Sequence, residues 1–504
     1  MKSIKPVSVS WQHGAQLLRH KRSLMGVAAV AALAVTAGCS SASSSSSAAA
    51  ASTPGATSAS ASASGSASSS GSTGSAAPAV ADWAQALSAY AAYTDSKPGA
   101  ANMSLPPIDI GFSMNGGGSI PPQDSGEDQV AVQTFVNYIN KYLDGVDGHP
   151  VGVVVCNVKN SEEEGAACMN QFLNNAAVKT IDYGSLAVGN ATEDAVDAGK
   201  KPIIMPFTFG GADNTSPHTY VLGATGELSG NAIGTFAVDG PLKAKSVVIV
   251  YPQVAGSESV AQGEALGASK AGATVKLVGF DETTENVLGA LAAADAQSAG
   301  AVITASLTTA ANCIAFYKAA QDLNISQSKM IGQTDCTSYG SSVTSQYPGG
   351  HYPEIWYQRG QPLSDLLTPY PQTGLDFKAV VTGMGGTLLD FENYAWVNEF
   401  AGIMTDDRFF NEIGYTNLAG PNSAALIEAK ASSFTGPVVM GPPVIECGKY
   451  SQLPADCADG SFFFHYNGGT SYSAYTGTGG PGQVAGYIEP SPGLEKYYGV
   501  LPGK

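Results

Sequence analysis

Positive charge is scarce in this sequence. Its 504 residues hold 24 Lys and Arg against 41 Asp and Glu, a formal net charge of −17. That shortfall excludes the broad basic face that nucleic acid or an anionic lipid surface requires. Histidine is scarcer: outside the N-terminal segment only His149, His218, His351 and His465 occur, widely separated. A lone imidazole is more often a satisfied surface or hinge group than a general base. Also absent are the G-x-S-x-G nucleophile elbow, the G-x-x-x-x-G-K-[ST] phosphate loop and the H-E-x-x-H zinc motif. "GTGGPG" (Gly477–Gly482) fits G-x-G-x-x-G as a string, but it lies in a Gly-rich tail where no strand is predicted before it and no helix after it, so it carries no dinucleotide reading. Glu162, Glu163 and Glu164 open a predicted helix, where solvation and the helix dipole account for them. The apolar run Leu24–Ala37 stops after fourteen residues, short of the roughly 20 that span a bilayer.

What precedes and follows that run is informative. Lys2, Lys5, Arg19, Lys21 and Arg22 lie upstream with no acidic residue. A positive segment, a short apolar segment and small residues before a break describe an export signal, expected over residues 1–38; an uncleaved anchor helix is the alternative. Thr36-Ala37-Gly38-Cys39 resembles the lipobox of bacterial lipoproteins, with Thr36 where Leu is usual. The resemblance implies a lipid on Cys39 and a protein held at the outer face of the bacterial cell membrane. Ser40 to Ala76 contains almost nothing but Ser, Ala, Gly and Thr. Such a segment has no apolar face with which to offset its conformational entropy, so residues 39–80 are expected to act as a tether. Without the first 39 residues, 19 Lys and Arg stand against 41 acids, a balance of −22.

Six cysteines remain, in three local couples: Cys156 with Cys168, Cys313 with Cys336, and Cys447 with Cys457. An even set in an exported chain reads as disulfides. Six cysteines allow about fifteen connectivities; local pairing is expected because each couple falls within one predicted unit. Zinc is the competing reading, but none of the couples has C-x-x-C spacing. No cofactor and no metal is expected.

From Pro107 the pattern is regular. "IDIGFSM", "VGVVVCNV", "VKTIDYGS", "KPIIMPFTF" and "HTYVLGA" read as strands, "VGVVVCNV" as a buried one. "DQVAVQTFVNYINKYL" and "EEEGAACMNQFLNN" read as helices between them, with Ala187–Ala198 continuing the alternation. The grammar then restarts: "KSVVIVY", "TVKLVGF", "AVITASL" and "KMIGQTD" are strands, "SESVAQGEALGASKAG", "ENVLGALAAADAQSAG" and "AANCIAFYKAAQDL" helices. A third series begins at "FENYAWVNEFAGIM". Ala81–Ala92 looks helical without a core role. Alternation of this kind predicts α/β architecture: two doubly wound parallel-sheet lobes. The expected division is 81–220 for the first lobe, 221–356 for the second, 357–443 for a return to the first, and 444–504 for closing strands and tail of the second.

"PPIDIGFSMNGGG", "VVVCNVKNSEEEGAACMNQFL", "KPIIMPFTF", "SVVIVYPQVAGSESVAQGEALGASKAGATV", "GAVITASLTTAANCIAFYKAAQDLNISQSKMIGQTD" and "VIECGKYSQLPADCADGSFFFHYNGG", in this order, resemble the type I periplasmic binding proteins. The likeness is to the branched-chain amino acid (Leu/Ile/Val) receptors of ABC importers in particular, over roughly Pro107 to Ala474. It implies two lobes joined by three hinge crossovers, a small-molecule ligand in the cleft between them, and the permease subunits of an importer as partners. Small and hydroxyl residues after the predicted strands, Asn115 in "SMNGGG" among them, suit backbone approach to an anion. By the resemblance, carboxylate contacts fall on Gly184, Ser185, Thr208, Phe209 and Gly210. Thr208-Phe209-Gly210 replaces the family's Ala-Ala-Thr. The acid for a ligand ammonium falls at Asp335, with Gln333 as a neutral substitute, and Leu307 and Thr308 stand where an aromatic is usual. Fold and transport role carry over by resemblance; ligand identity does not. A ligand sensor of the same fold without a permease, and a hydrolase acting in the cleft, are the alternatives.

Overall fold

In the computed structural model the chain divides into two units, Met1–Gly74 and Ser75–Lys504. The structure describes residues 83–115, 122–158, 162–183, 199, 201–208, 213–253, 255–281, 286–305, 310–332, 336, 350–354, 371–386, 394–442, 445–458, 460–468, 471–474 and 487–488, all in the second unit. The segment Ala187–Ala198 lies outside them.

Two sheets organise this unit. The first has the strand order β11-β5-β4-β3-β1-β2, where β1 is Ile108–Asn115, β2 Val151–Val158, β3 Val178–Tyr183, β4 Ile203–Met205, β5 Thr219–Ala224 and β11 Asp456–Ala458. Every pairing in it is parallel. The second runs β13-β12-β10-β9-β8-β6-β7, with β14 beside β12. Its parallel part comprises β6 (Ser246–Pro252), β7 (Thr274–Phe280), β8 (Ala301–Thr304), β9 (Met330–Ile331) and β10 (Gly350–Glu354). β12 (Ser461–Gly468), β13 (Ser471–Ala474) and β14 (Tyr487–Ile488) extend it antiparallel.

The apolar runs are continuous because both faces of each sheet are covered. In the first sheet Ile108, Ile110 and Phe112 of β1 meet helix α2 (Pro122–Tyr142) through Phe135, Tyr138 and Ile139. On the opposite face, Met169 and Phe172 of α3 (Glu162–Asn174) pack with Ile181, Ile203 and Val221. In the second sheet, Val248, Val250 and Val302 point into a core with α6 (Val287–Ala293) and α7 (Ala310–Asp322). Their neighbours Val247, Ile249, Ala301 and Ile303 point the other way, toward α4 (Gly226–Asp239) and α5 (Ala255–Lys270). This is strand alternation read out as two cores.

After β10 the chain returns to the first sheet. Helices α8 (Pro371–Gly383), α9 (Tyr394–Ile413) and α11 (Ser423–Ser433), the last following the short α10 (Tyr415–Leu418), add Phe377, Trp396, Phe400 and Ile427 to its core. Among the described residues the chain therefore crosses between sheets three times: after Ala224, between Glu354 and Pro371, and between Ala458 and Ser461. Strand membership shifts two of the expected crossings. β5 stays with the first sheet to Ala224 rather than leaving it at 220/221, and β11 rejoins it inside 444–504. A strand's own residues do not say which sheet it will join.

Three further expectations are corrected. Helix α1 (Trp83–Tyr93) does have a core role: Ala86 and Tyr90 are buried, the Tyr90 and Phe400 rings meet edge-on at 4.9 Å, and Trp83 meets Tyr142 at 4.9 Å. β2 is not a fully buried strand. Among the described residues it pairs on one side only, and Gly152–Cys156 are half-buried. "ENVLGALAAADAQSAG" is not one helix: α6 ends at Ala293, and Asp295 takes a left-handed φ of 55° before a short 3-10 turn. The three disulfides are those expected from local pairing, Cys156–Cys168, Cys313–Cys336 and Cys447–Cys457.

Helices α4 and α5 lie against each other through glycine. A Cβ on Gly234 would strike the carbonyl oxygen of Glu264, and one on Gly267 that of Asn231. This brings Glu264 into the core at 0% exposure, with no hydrogen-bond partner for either carboxyl oxygen. Burial pushes its carboxyl well above the ordinary glutamate range. The folded state therefore holds a proton that the unfolded state gives up above the ordinary range. This group's contribution thus declines as pH rises through the interval between the two values. Glu264→Gln is expected to raise Tm at pH 7–8 and to leave it unchanged near pH 4, as thermal denaturation at the two pH values will measure.

Candidate functional site

Parallel α/β sheets present ligands at the carboxyl ends of their strands, where the helix N-termini also gather. In the first sheet the register sets Asn115 beside Val158 and, two residues back, Ser113 beside Tyr183. β4 ends at Met205, opposite Val221, and leads into Pro206, Phe207 and Thr208. In the second sheet Pro252 and Phe280 are paired, Val250 faces Thr304, and Ile303 faces Ile331. Each lobe thus offers one carboxyl edge.

Of the expected ligand residues, Thr208 is the one fully described. It is buried, and its carbonyl accepts a hydrogen bond from Gly226 N–H at 2.9 Å. Its hydroxyl donates to Asp213. With its single proton so placed, the side chain holds the loop after β4 in shape. Asn115 closes β1, and only its backbone is described. Gly184, Ser185, Phe209, Gly210, Thr308, Gln333 and Asp335, together with Leu307 and Cys39, lie outside the described residues.

Gly226 is also where the chain leaves the first lobe. Thr225 caps α4, its Oγ1 accepting from Leu228 N–H at 3.4 Å, and the same hydroxyl donates to Asp456 Oδ2 of β11 at 3.1 Å. One turn on, the Ser229 and Ser461 hydroxyls meet at 2.8 Å. The outgoing crossing (Ala224 to Gly226) and the final one (Ala458 to Ser461) are therefore bonded side by side, and all four of these polar side chains are buried. Sequence reading missed them because each pair is more than two hundred residues apart and no local pattern marks either member.

Beneath the first edge lies a pair of acids. Asp182 of β3 and Asp406 of α9 are both fully buried. The Asp406 carboxyl is pushed well above the usual range, first by burial and then by Asp182, while the Thr180 hydroxyl, donating to its Oδ2 at 3.1 Å, opposes the shift. Gly402 leaves room for this: a Cβ there would stand 2.6 Å from Asp182 Oδ2. Among the described residues no group of three or more His, Cys, Asp or Glu is arranged to hold a metal, and no helix is long and apolar enough to cross a membrane.

The crossing bonds make a direct prediction. Thr225→Val keeps shape but removes both the cap and a donor to the buried Asp456 carboxyl, and is expected to cost about 1–3 kcal/mol. Urea unfolding of the variant against the parent chain measures it.

The family model described as periplasmic binding protein matches residues 107–351. No curated protein sequence matches the chain. Among solved structures, the chain is similar to a fatty acid ABC transporter substrate-binding protein from Thermomonospora curvata. The TM-score is 0.58 at 16% identity, over 81% of this chain and 97% of that one. It is similar to a solute-binding protein of an ABC transporter from R. palustris, solved with 4-hydroxybenzoate, with a TM-score of 0.55 at 14% identity over 71% and 92%. It is similar also to a branched-chain amino acid transporter substrate-binding protein of Streptococcus pneumoniae, solved with isoleucine, with a TM-score of 0.52 at 14% identity over 73% and 99%. The family match covers residues 107–351, and together with the likeness to these structures it shows that the chain has the type I periplasmic binding protein fold.

Proposed function

We propose that this protein is the extracytoplasmic solute-binding subunit of an ABC importer, that its ligand is a small organic carboxylate held between the lobes, and that a lipid on Cys39 keeps it at the membrane. The observation that carries the reading is the pair of parallel-sheet carboxyl edges, one per lobe, joined through the bonded crossings at Thr225 and Asp456. The ligands named for similar structures support the ligand class. Isoleucine, 4-hydroxybenzoate and fatty acids differ in almost everything except a carboxylate. Gly184, Ser185, Phe209, Gly210 and the backbone at Thr208 and Asn115 would supply donors to that carboxylate from the first lobe. Thr308, Gln333 and Asp335 would meet the rest of the molecule from the second. No covalent chemistry is needed, and the ligand is expected back unchanged after incubation.

Thermal denaturation with L-isoleucine, benzoate and decanoate tests the class. A compound at about 100 times its Kd stabilises by about 2.7 kcal/mol. Asp335→Ala then separates the ligand types. Loss of the acid strands a buried ammonium and costs about 3–5 kcal/mol with isoleucine, at least a hundredfold in Kd, but it leaves benzoate or decanoate binding as tightly as before. Ser185→Ala is expected to cost about 1 kcal/mol with any of them.

The anchor is tested separately. Cys39→Ala is expected to move the protein from the membrane fraction to the soluble one; unchanged fractionation, with a mature mass that lacks lipid, rules the anchor out.

A further inference from the structure

We infer that the Cys313–Cys336 disulfide is a positioning element of the ligand cleft, fixing the binding edge of the second lobe in its capturing shape; the inference rests on the solute-binding reading above. β8 ends at Thr304 and β9 at Ile331, side by side at the carboxyl edge. β9 is two residues long, and among the described residues it pairs on the far side through Ile331 and His351. Five residues after Ile331, Cys336 is fully buried and joined to Cys313 on the fourth residue of α7, with the two Cα atoms 5.5 Å apart.

The bridge thus ties the first turns of the helix that follows β8 to the segment that follows β9. Its sulfurs sit in one core with Phe316, Ile325 and Met330. Asp335, the acid proposed to meet a ligand ammonium, is the residue before Cys336 in the sequence.

The other two bridges do something different. Cys156–Cys168 joins a strand to the helix next after it, inside one βα unit. Cys447–Cys457 joins edge strand β11 to the turn just before it. Of the three, Cys313–Cys336 alone connects two successive βα units across a carboxyl edge. A loop held in its bound geometry before the ligand arrives has less ordering to do on binding, so affinity rises without any new contact. A bridge that serves only folding would affect stability and leave affinity alone.

Calorimetry separates the two. The probe is whichever of L-isoleucine, benzoate and decanoate stabilises the parent protein most. Cys313→Ala/Cys336→Ala and Cys447→Ala/Cys457→Ala are both expected to lower Tm, but only the first is expected to raise Kd, by tenfold or more. A Kd within twofold of the parent, or an equal loss in both double variants, overturns the inference while leaving solute binding intact. If the alanine pair does not fold, Cys313→Val/Cys336→Ala, which keeps apolar volume in the same core, serves in its place. Failure of that pair also overturns the inference, because the bridge would then be a requirement for folding. If none of the three compounds stabilises the parent protein, the carboxylate-binding reading fails first and the inference falls with it.

Discussion

The hydrogen bond from Thr225 to Asp456 is where the two halves of this fold are made to depend on each other. A chain that builds two parallel sheets must pass between them, and each passage interrupts the ladder that would otherwise satisfy its backbone. Here the first passage is short enough that a single threonine caps the new helix, donates to the last strand of the old sheet, and stands next to a glycine whose N–H is held by Thr208. The loop after β4, the outgoing crossing and the returning crossing therefore share one buried polar network.

Much of the architecture could be read from local sequence, and what could not has a common cause. "KSVVIVY" and "AVITASL" show themselves as strands because a sheet covered on both faces needs unbroken apolar runs. The disulfides were readable because each cysteine pair is separated by 23 residues or fewer. The core role of α1 was not, since Trp83 and Tyr90 find their partners in Tyr142 and Phe400, far along the chain. "VGVVVCNV" has the composition of a central strand and the position of an edge; position belongs to the topology, not to the segment. The site shows the same division. Strand ends can be located from the pattern, and Thr208 lies three residues past the end of β4. That its hydroxyl would turn to Asp213 depends on a partner no spacing rule selects.

Acidity is handled unevenly across this strongly acidic chain. Some carboxylates, such as Asp95, Asp239 and Asp322, face solvent, but Glu264, Asp406 and Asp407 are driven by burial well above their ordinary range. For Asp407 an Asn411 side chain offsets part of the shift, and for Asp406 a threonine does. Glu264 has no such help. Burial thus shifts each of these groups toward its neutral form, the form that costs least inside the fold.

The glycine contact between α4 and α5 has a mechanical meaning. Where helices meet through side chains, their separation can relax as rotamers change. Where backbone rests on backbone, as at Gly234 and Gly267, there is nothing softer between them to yield. That face of the second lobe is then a stiff plate, and displacement of one lobe against the other has to be taken up at the crossings as rotation, with little bending within the plate itself.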